Sequence, residues 1–142
     1  MIGRIDHLGI AVRSIAERTG FWSTALELGE PHVEDVFSER VRVAMLQVGE
    51  SRIELLEPTS EDSVIARFLD DRGEGVHHVC FAVSDIEAAL GRLLAEGARV
   101  VGEAPRPGAG GSRVAFLHPR SAGGVLIELK EDRTMPAVPE RT

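Results

Sequence analysis

Nine residues near the middle of the chain, GVHHVCFAV at 75–83, repeat a stretch near its start, RIDHLGIAV at 4–12. His78 lies 71 positions after His7, and the same offset carries Ala11 onto Ala82, Val12 onto Val83 and Ile15 onto Ile86. Such a match marks an internal duplication, which constrains the chain to fold as two similar modules. Side chains alternate along a strand, so His7, Gly9 and Ala11 share one face while Leu8, Ile10 and Val12 share the other. In the copy, His78, Cys80 and Ala82 stand opposite Val79, Phe81 and Val83. The aliphatic face suits packing against helices. The other offers a histidine followed only by small residues, which leaves room for something to bind.

The pattern around these strands repeats as well. Ser14 and Glu17 have capping-box spacing, and Ile15, Trp22, Ala25 and Leu26 give an apolar face at helical spacing, so a helix is expected to about Leu28, stopped by Gly29 and Pro31. Strands are expected at 32–37, 41–48 and 52–57, the last two joined by a hairpin at Gly49-Glu50-Ser51. A linking helix over about 61–72 carries Val64, Ile65, Phe68 and Leu69. The second half starts again with a strand at 76–83. Ser84 and Glu87 then have capping-box spacing, and Ile86, Ala89, Leu90, Leu93 and Leu94 form a helical stripe closed by Gly97. Short strands follow at 99–102, 113–117 and 125–130, with a loop rich in glycine and proline at 105–112. The order is strand, helix, three strands, given twice. This predicts an α+β chain of tandem βαβββ modules, about 3–58 and 75–131, in a single domain at 1–131 with a loose tail at 132–142.

Composition narrows the function classes. A formal charge of −7 over 142 residues, without a basic stripe, argues against general nucleic-acid binding. No apolar run approaches the roughly 20 residues that cross a bilayer, and no signal-peptide pattern opens the chain, so no membrane partner and a cytoplasmic location are expected. The single cysteine, Cys80, has no internal disulfide partner and reads as packing or pocket lining.

The residues able to carry chemistry fall at repeated points. RIEL ends a strand with Glu54 and LIEL ends another with Glu128, 47 and 50 positions after His7 and His78. Two imidazoles and two carboxylates related by a pseudo-twofold axis suit a divalent metal. Nitrogen and oxygen donors without thiolate favour Co²⁺, Mn²⁺, Ni²⁺, Fe²⁺ or Zn²⁺, and four ligands in a six-coordinate shell leave two positions for a chelating substrate. Burying two carboxylates without a cation would be costly. His77 points to the other face and reads as structural. His118, at the end of AFLHP, either caps its strand or touches a ligand. The glycines Gly108, Gly110 and Gly111 read as an ordinary turn, since no P-loop or dinucleotide fingerprint is present.

IDHLGIAV, RIELLEP, DSVIARFL, GVHHVCFAV, GSRVAFLHP and GGVLIEL, spread over nearly the whole chain, resemble the vicinal oxygen chelate superfamily of glyoxalases, extradiol dioxygenases and fosfomycin-resistance proteins. Within it they are most similar to the methylmalonyl-CoA epimerase family. The resemblance implies a curved, half-open barrel-like mixed sheet around a metal held by His7, Glu54, His78 and Glu128. It also implies an acyl-CoA substrate, removal of its C2 proton to give a metal-stabilised enediolate, and Glu128 as an acid/base. Some epimerases of this type carry a glutamate where this chain has Val43, so the second base is open between water, His118, Gln47 and Glu39. Arg106, Arg113 and Arg120 are candidates for CoA contacts, with Arg113 and His118 the nominated substrate-binding residues. A homodimer is expected. The competing expectations are a glyoxalase-type lyase and a non-catalytic small-molecule-binding module of the same fold.

Overall fold

A computed structural model describes residues 2–135, which form eight strands and three α-helices. They fall into two compact units, one of residues 7–77 and one of residues 2–6 with 78–135. No helix among the described residues is long and apolar enough to cross a membrane. The first half contains β1 (Ile2–Ala11), α1 (Ile15–Thr19), β2 (His32–Val36), β3 (Val41–Val48), β4 (Ser51–Pro58) and α2 (Val64–Arg72). Its strands are ordered β2-β3-β4-β1, with β1 parallel to β4 and the other pairs antiparallel. The second half contains β5 (Gly75–Val83), α3 (Ile86–Ala95), β6 (Val100–Pro107), β7 (Arg113–Leu117) and β8 (Ile127–Glu131). Its order, β6-β7-β8-β5 with β5 parallel to β8, is the same. The repeat read in the sequence is thus a repeat of topology.

Each sheet buries an aliphatic face under its helix. Val12, Ile15, Ala44 and Leu55 pack with Ile10, Trp22 and Ile53 in one unit. Val83, Ile86, Ala89, Leu90, Ala115, Leu117 and Leu129 do so in the other. Burial of such a side chain contributes about 1.5–3 kcal/mol. In the first unit the histidine face is apolar at one end: Ala11, Val41, Val43 and Leu56 pack against Ile65 and Leu69 of α2.

A second pair of glutamates, unremarked in the sequence, fixes the helices to the sheets. Glu57 lies three residues past Glu54, and Glu131 three past Glu128. An odd separation on a strand reverses the face, so these carboxylates point to the helix side. Glu57 accepts the Ile15 N–H at 2.8 Å, and Glu131 accepts the Ile86 N–H at 3.0 Å. Each satisfies a backbone donor that the first turn of a helix leaves without an intrahelical acceptor. Ser14 adds its hydroxyl oxygen to the Glu17 N–H at 3.2 Å.

Three expectations need correction. The cap of α3 is Asp85, whose carboxylate accepts the Ala88 N–H at 3.1 Å, and not Ser84. The duplication offset that carries Ile15 onto Ile86 also carries Ser14 onto Asp85. The first helix does not run regularly to Leu28: after Thr19 the chain widens into a π-helical turn over Gly20–Ala25, with the Leu26 N–H bonded to the Phe21 carbonyl. The wider turn brings Trp22 against the core while leaving Phe21 exposed. The 105–112 loop is shorter than expected, because β6 continues to Pro107. As the outermost strand of its sheet, shifted in register between Val101 and Arg106, β6 accommodates Pro105 without losing a ladder bond. Of the expected tail, Asp132 is tied by its N–H to the Val83 carbonyl and by its carboxylate to Arg4, while residues 136–142 lie outside the described residues.

The Ile86 N–H, with Arg133 and Arg113, holds the Glu131 carboxyl below its ordinary value near 4.5. A depressed folded pKa contributes stability above the unfolded value and loses it as pH falls through the folded one. Glu131→Ala should therefore destabilise the protein by about 1–2 kcal/mol near neutral pH. The gap from the parent should narrow as pH drops below about 4.5; urea denaturation across that range measures it.

Candidate functional site

The two halves build the same His–Glu pair by the same device. In the first, β1 and β4 are parallel with Gly9 opposite Glu54, two residues beyond His7. Glycine offers no side chain at that point, so the Glu54 carboxylate reaches back along the neighbouring strand until its Oε2 lies 3.4 Å from His7 Nδ1. In the second, Cys80 stands opposite Glu128, two residues beyond His78, and Glu128 Oε1 lies 3.1 Å from His78 Nε2. The small residues after each histidine are therefore clearance for the glutamate of the adjacent strand. All four side chains are buried, with residue exposures between 5% and 9%.

The surroundings of the two pairs differ. Glu54 also meets Arg52, whose guanidinium is 3.2 Å from the same oxygen that faces His7. Glu128 is paired in register with Phe116, whose ring stands edge-on to His78 with centroids 6.0 Å apart. Two residues beyond Glu128, on the same face, Lys130 approaches the buried carboxylate of Asp6 at 3.9 Å.

The donor chemistry of each pair fits a divalent cation. Two ligands at right angles around a metal with bonds of about 2.1 Å stand about 3.0 Å apart. The spacings of 3.4 and 3.1 Å are close to that. Imidazole and carboxylate are the donors that suit first-row divalent ions.

Other nominated residues occupy definite places. His118 caps the turn Pro119–Ala122, its Nδ1 accepting the Arg120 N–H at 3.1 Å, which is the bland of the two options for it. His77 packs edge-on against Phe68. Arg113 stands on the helix side of β7, 2.6 Å from Glu87 and 3.7 Å from Glu131, and is not brought onto the face of Glu128. Arg120 is exposed. Val43 is 4% exposed and packed among Leu56, Ile65 and Leu69, so it offers no proton. Gln47 donates to the carbonyls of Gly49 and Ser51 in the hairpin, and Glu39 lies in an exposed turn. Phe116 was missed because its role depends on which strand it neighbours.

Known proteins share this chain's sequence pattern and fold. The family model described as the Glyoxalase/Bleomycin resistance protein/Dioxygenase superfamily matches residues 6–116. The ethylmalonyl-CoA/methylmalonyl-CoA epimerase of Cereibacter sphaeroides is 41% identical over 135 residues, which cover 92% of this chain and 99% of that protein. The crystal structure of methylmalonyl-CoA epimerase from Mycobacterium tuberculosis superposes with a TM-score of 0.85 at 40% identity, over 92% of this chain and 88% of that one. A methylmalonyl-CoA epimerase solved in complex with methylmalonyl-CoA and ammonium gives 0.87 at 38% identity, over 94% and 97%.

The Arg52–Glu54 contact generates a stability test. Arg52→Gln leaves a buried carboxylate short of a positive neighbour and should cost about 1–3 kcal/mol, a loss that adding Glu54→Gln should largely cancel. A double-mutant cycle by urea denaturation, in metal-free buffer, measures the coupling.

Proposed function

This chain belongs to the glyoxalase/bleomycin resistance/dioxygenase superfamily, and from that membership we propose that it is a divalent-metal-dependent epimerase interconverting (R)- and (S)-methylmalonyl-CoA. The observation that carries the reading is the buried His–Glu pair found at the same point of both modules. His7, Glu54, His78 and Glu128 are the proposed ligands of one cation, Co²⁺, Mn²⁺, Ni²⁺ or Zn²⁺ by donor type, which makes the two modules a single functional domain. A cytoplasmic homodimer belongs to the same reading.

When bound, the cation supplies Lewis acidity to the thioester carbonyl and so lowers the cost of charge developing as the C2 proton leaves. The chain's own residues supply the rest. Glu128, 3.1 Å from His78 and opposite Phe116 in register, is the proposed acceptor of the C2 proton on one face. Arg52 steadies the charge of Glu54. Inversion needs a proton returned on the opposite face. Val43 has none to give, and His118 and Gln47 are engaged in a turn cap and a hairpin. Water is the proposed carrier there.

The test is C2 exchange of methylmalonyl-CoA in D₂O, with added Co²⁺ and after chelation, following deuterium uptake and inversion together. Metal-dependent exchange with inversion is expected, and Glu128→Gln should slow it by at least about 100-fold. A folded, metal-loaded protein that exchanges no deuterium rules the epimerase out.

A further inference from the structure

The two modules repeat their glutamates but not the residue two places before them. RIEL of the first has Arg52 where LIEL of the second has Leu126. Side chains two apart on a strand share a face, so Arg52 stands on the side of β4 that carries Glu54. It is level with His7 on β1 and with Gln47 on β3. Arg52 Nη2 lies 3.2 Å from Glu54 Oε2, and that same oxygen lies 3.4 Å from His7 Nδ1. The guanidinium is therefore already on the atom that the proposed metal centre requires as a ligand. Its side chain is 26% exposed against 10% for that of Glu54, so Arg52 can withdraw toward water where Glu54 cannot.

A buried carboxylate needs positive charge beside it, and a guanidinium and a divalent cation are two ways of providing it. At Glu54 the two compete, because both are drawn to one oxygen and like charges on one carboxylate repel each other. Leu126 brings no charge to the corresponding point of the second module. We infer that Arg52 is a positioning residue that stands in for the cation at Glu54 and sets how tightly the cation is held. The guanidinium keeps the carboxylate compensated beside His7, and the cation must displace it, so part of the binding energy goes into breaking the Arg52–Glu54 pair. A ligand that binds the folded chain also stabilises it. The pair must therefore appear twice, as stability gained without metal and as affinity lost to metal. This rests on the shared-cation reading above, in which Glu54 is a ligand.

The test is the dissociation constant of Co²⁺, with urea denaturation in metal-free buffer and in saturating Co²⁺, on the parent, Arg52→Gln, Arg52→Lys and Arg42→Gln. Arg52→Gln should hold Co²⁺ about tenfold or more tightly than the parent, and each tenfold returns about 1.4 kcal/mol of the stability that the variant lacks in metal-free buffer. Arg52→Lys, which keeps the charge and loses the planar fork, should fall between. Arg42 bonds to Asp35 and Glu57 on the other side of the same sheet. Arg42→Gln removes an equal charge there and should leave the Co²⁺ affinity within about twofold. Unchanged or weaker Co²⁺ binding in Arg52→Gln overturns the inference and leaves the metal reading standing. An equal gain in Arg42→Gln overturns it in favour of net charge alone. A parent that neither binds Co²⁺ nor is stabilised by it overturns the metal reading and the inference with it.

Discussion

A carboxylate taken out of water must be given positive charge or hydrogen-bond donors, and in this chain that requirement falls on Glu54 and Glu128, at 8% and 9% exposure. The fold answers it with the same strand register in both modules, Nδ1 of His7 facing one carboxylate and Nε2 of His78 the other. A parallel strand places a histidine two residues before a small side chain, and the glutamate of its neighbour crosses that small residue to reach the imidazole. Gly9 puts no side chain on that path and Cys80 a short one. The small residues beside the histidines are therefore as much a part of the arrangement as the ligand candidates themselves.

The same two strands also hold the helices. The spacing from Glu54 to Glu57, and from Glu128 to Glu131, turns one carboxylate to the histidine face and the next to the N-terminus of the module's own helix. The position of each buried pair is in this way coupled to the seating of α1 or α3. Here the two modules keep the same design, while around the pairs they diverge: Arg52 balances Glu54, and Phe116 with Arg106 stands over the side of Glu128.

Much of this was legible in the residues. The 71-position repeat carried the module order and the histidines, and strand alternation placed His77 away from His78, whereas capping-box spacing pointed to Ser84 for the cap that Asp85 makes. What escaped depends on partners that sequence spacing does not name. Gly9 and Cys80 read as room for a ligand, because only the strand register shows a glutamate crossing each of them. Glu57 and Glu131 are visible as a repeated E-L-x-E, yet their function needs the helix start to lie above them. The π-helical turn at Gly20–Ala25 accompanies the packing of Trp22 on the core, where periodicity alone presents an ordinary helix. Arg113 and Arg106 look equivalent in sequence. The face of the strand on which each stands separates them.

Equilibrium dialysis against Co²⁺, on the parent, His7→Ala and His78→Ala, tests most directly the proposal that His7, Glu54, His78 and Glu128 are ligands of one cation. One tightly held cation per chain is expected, lost when either histidine is removed. Two cations per chain, or full retention by one of the single variants, would contradict a shared centre.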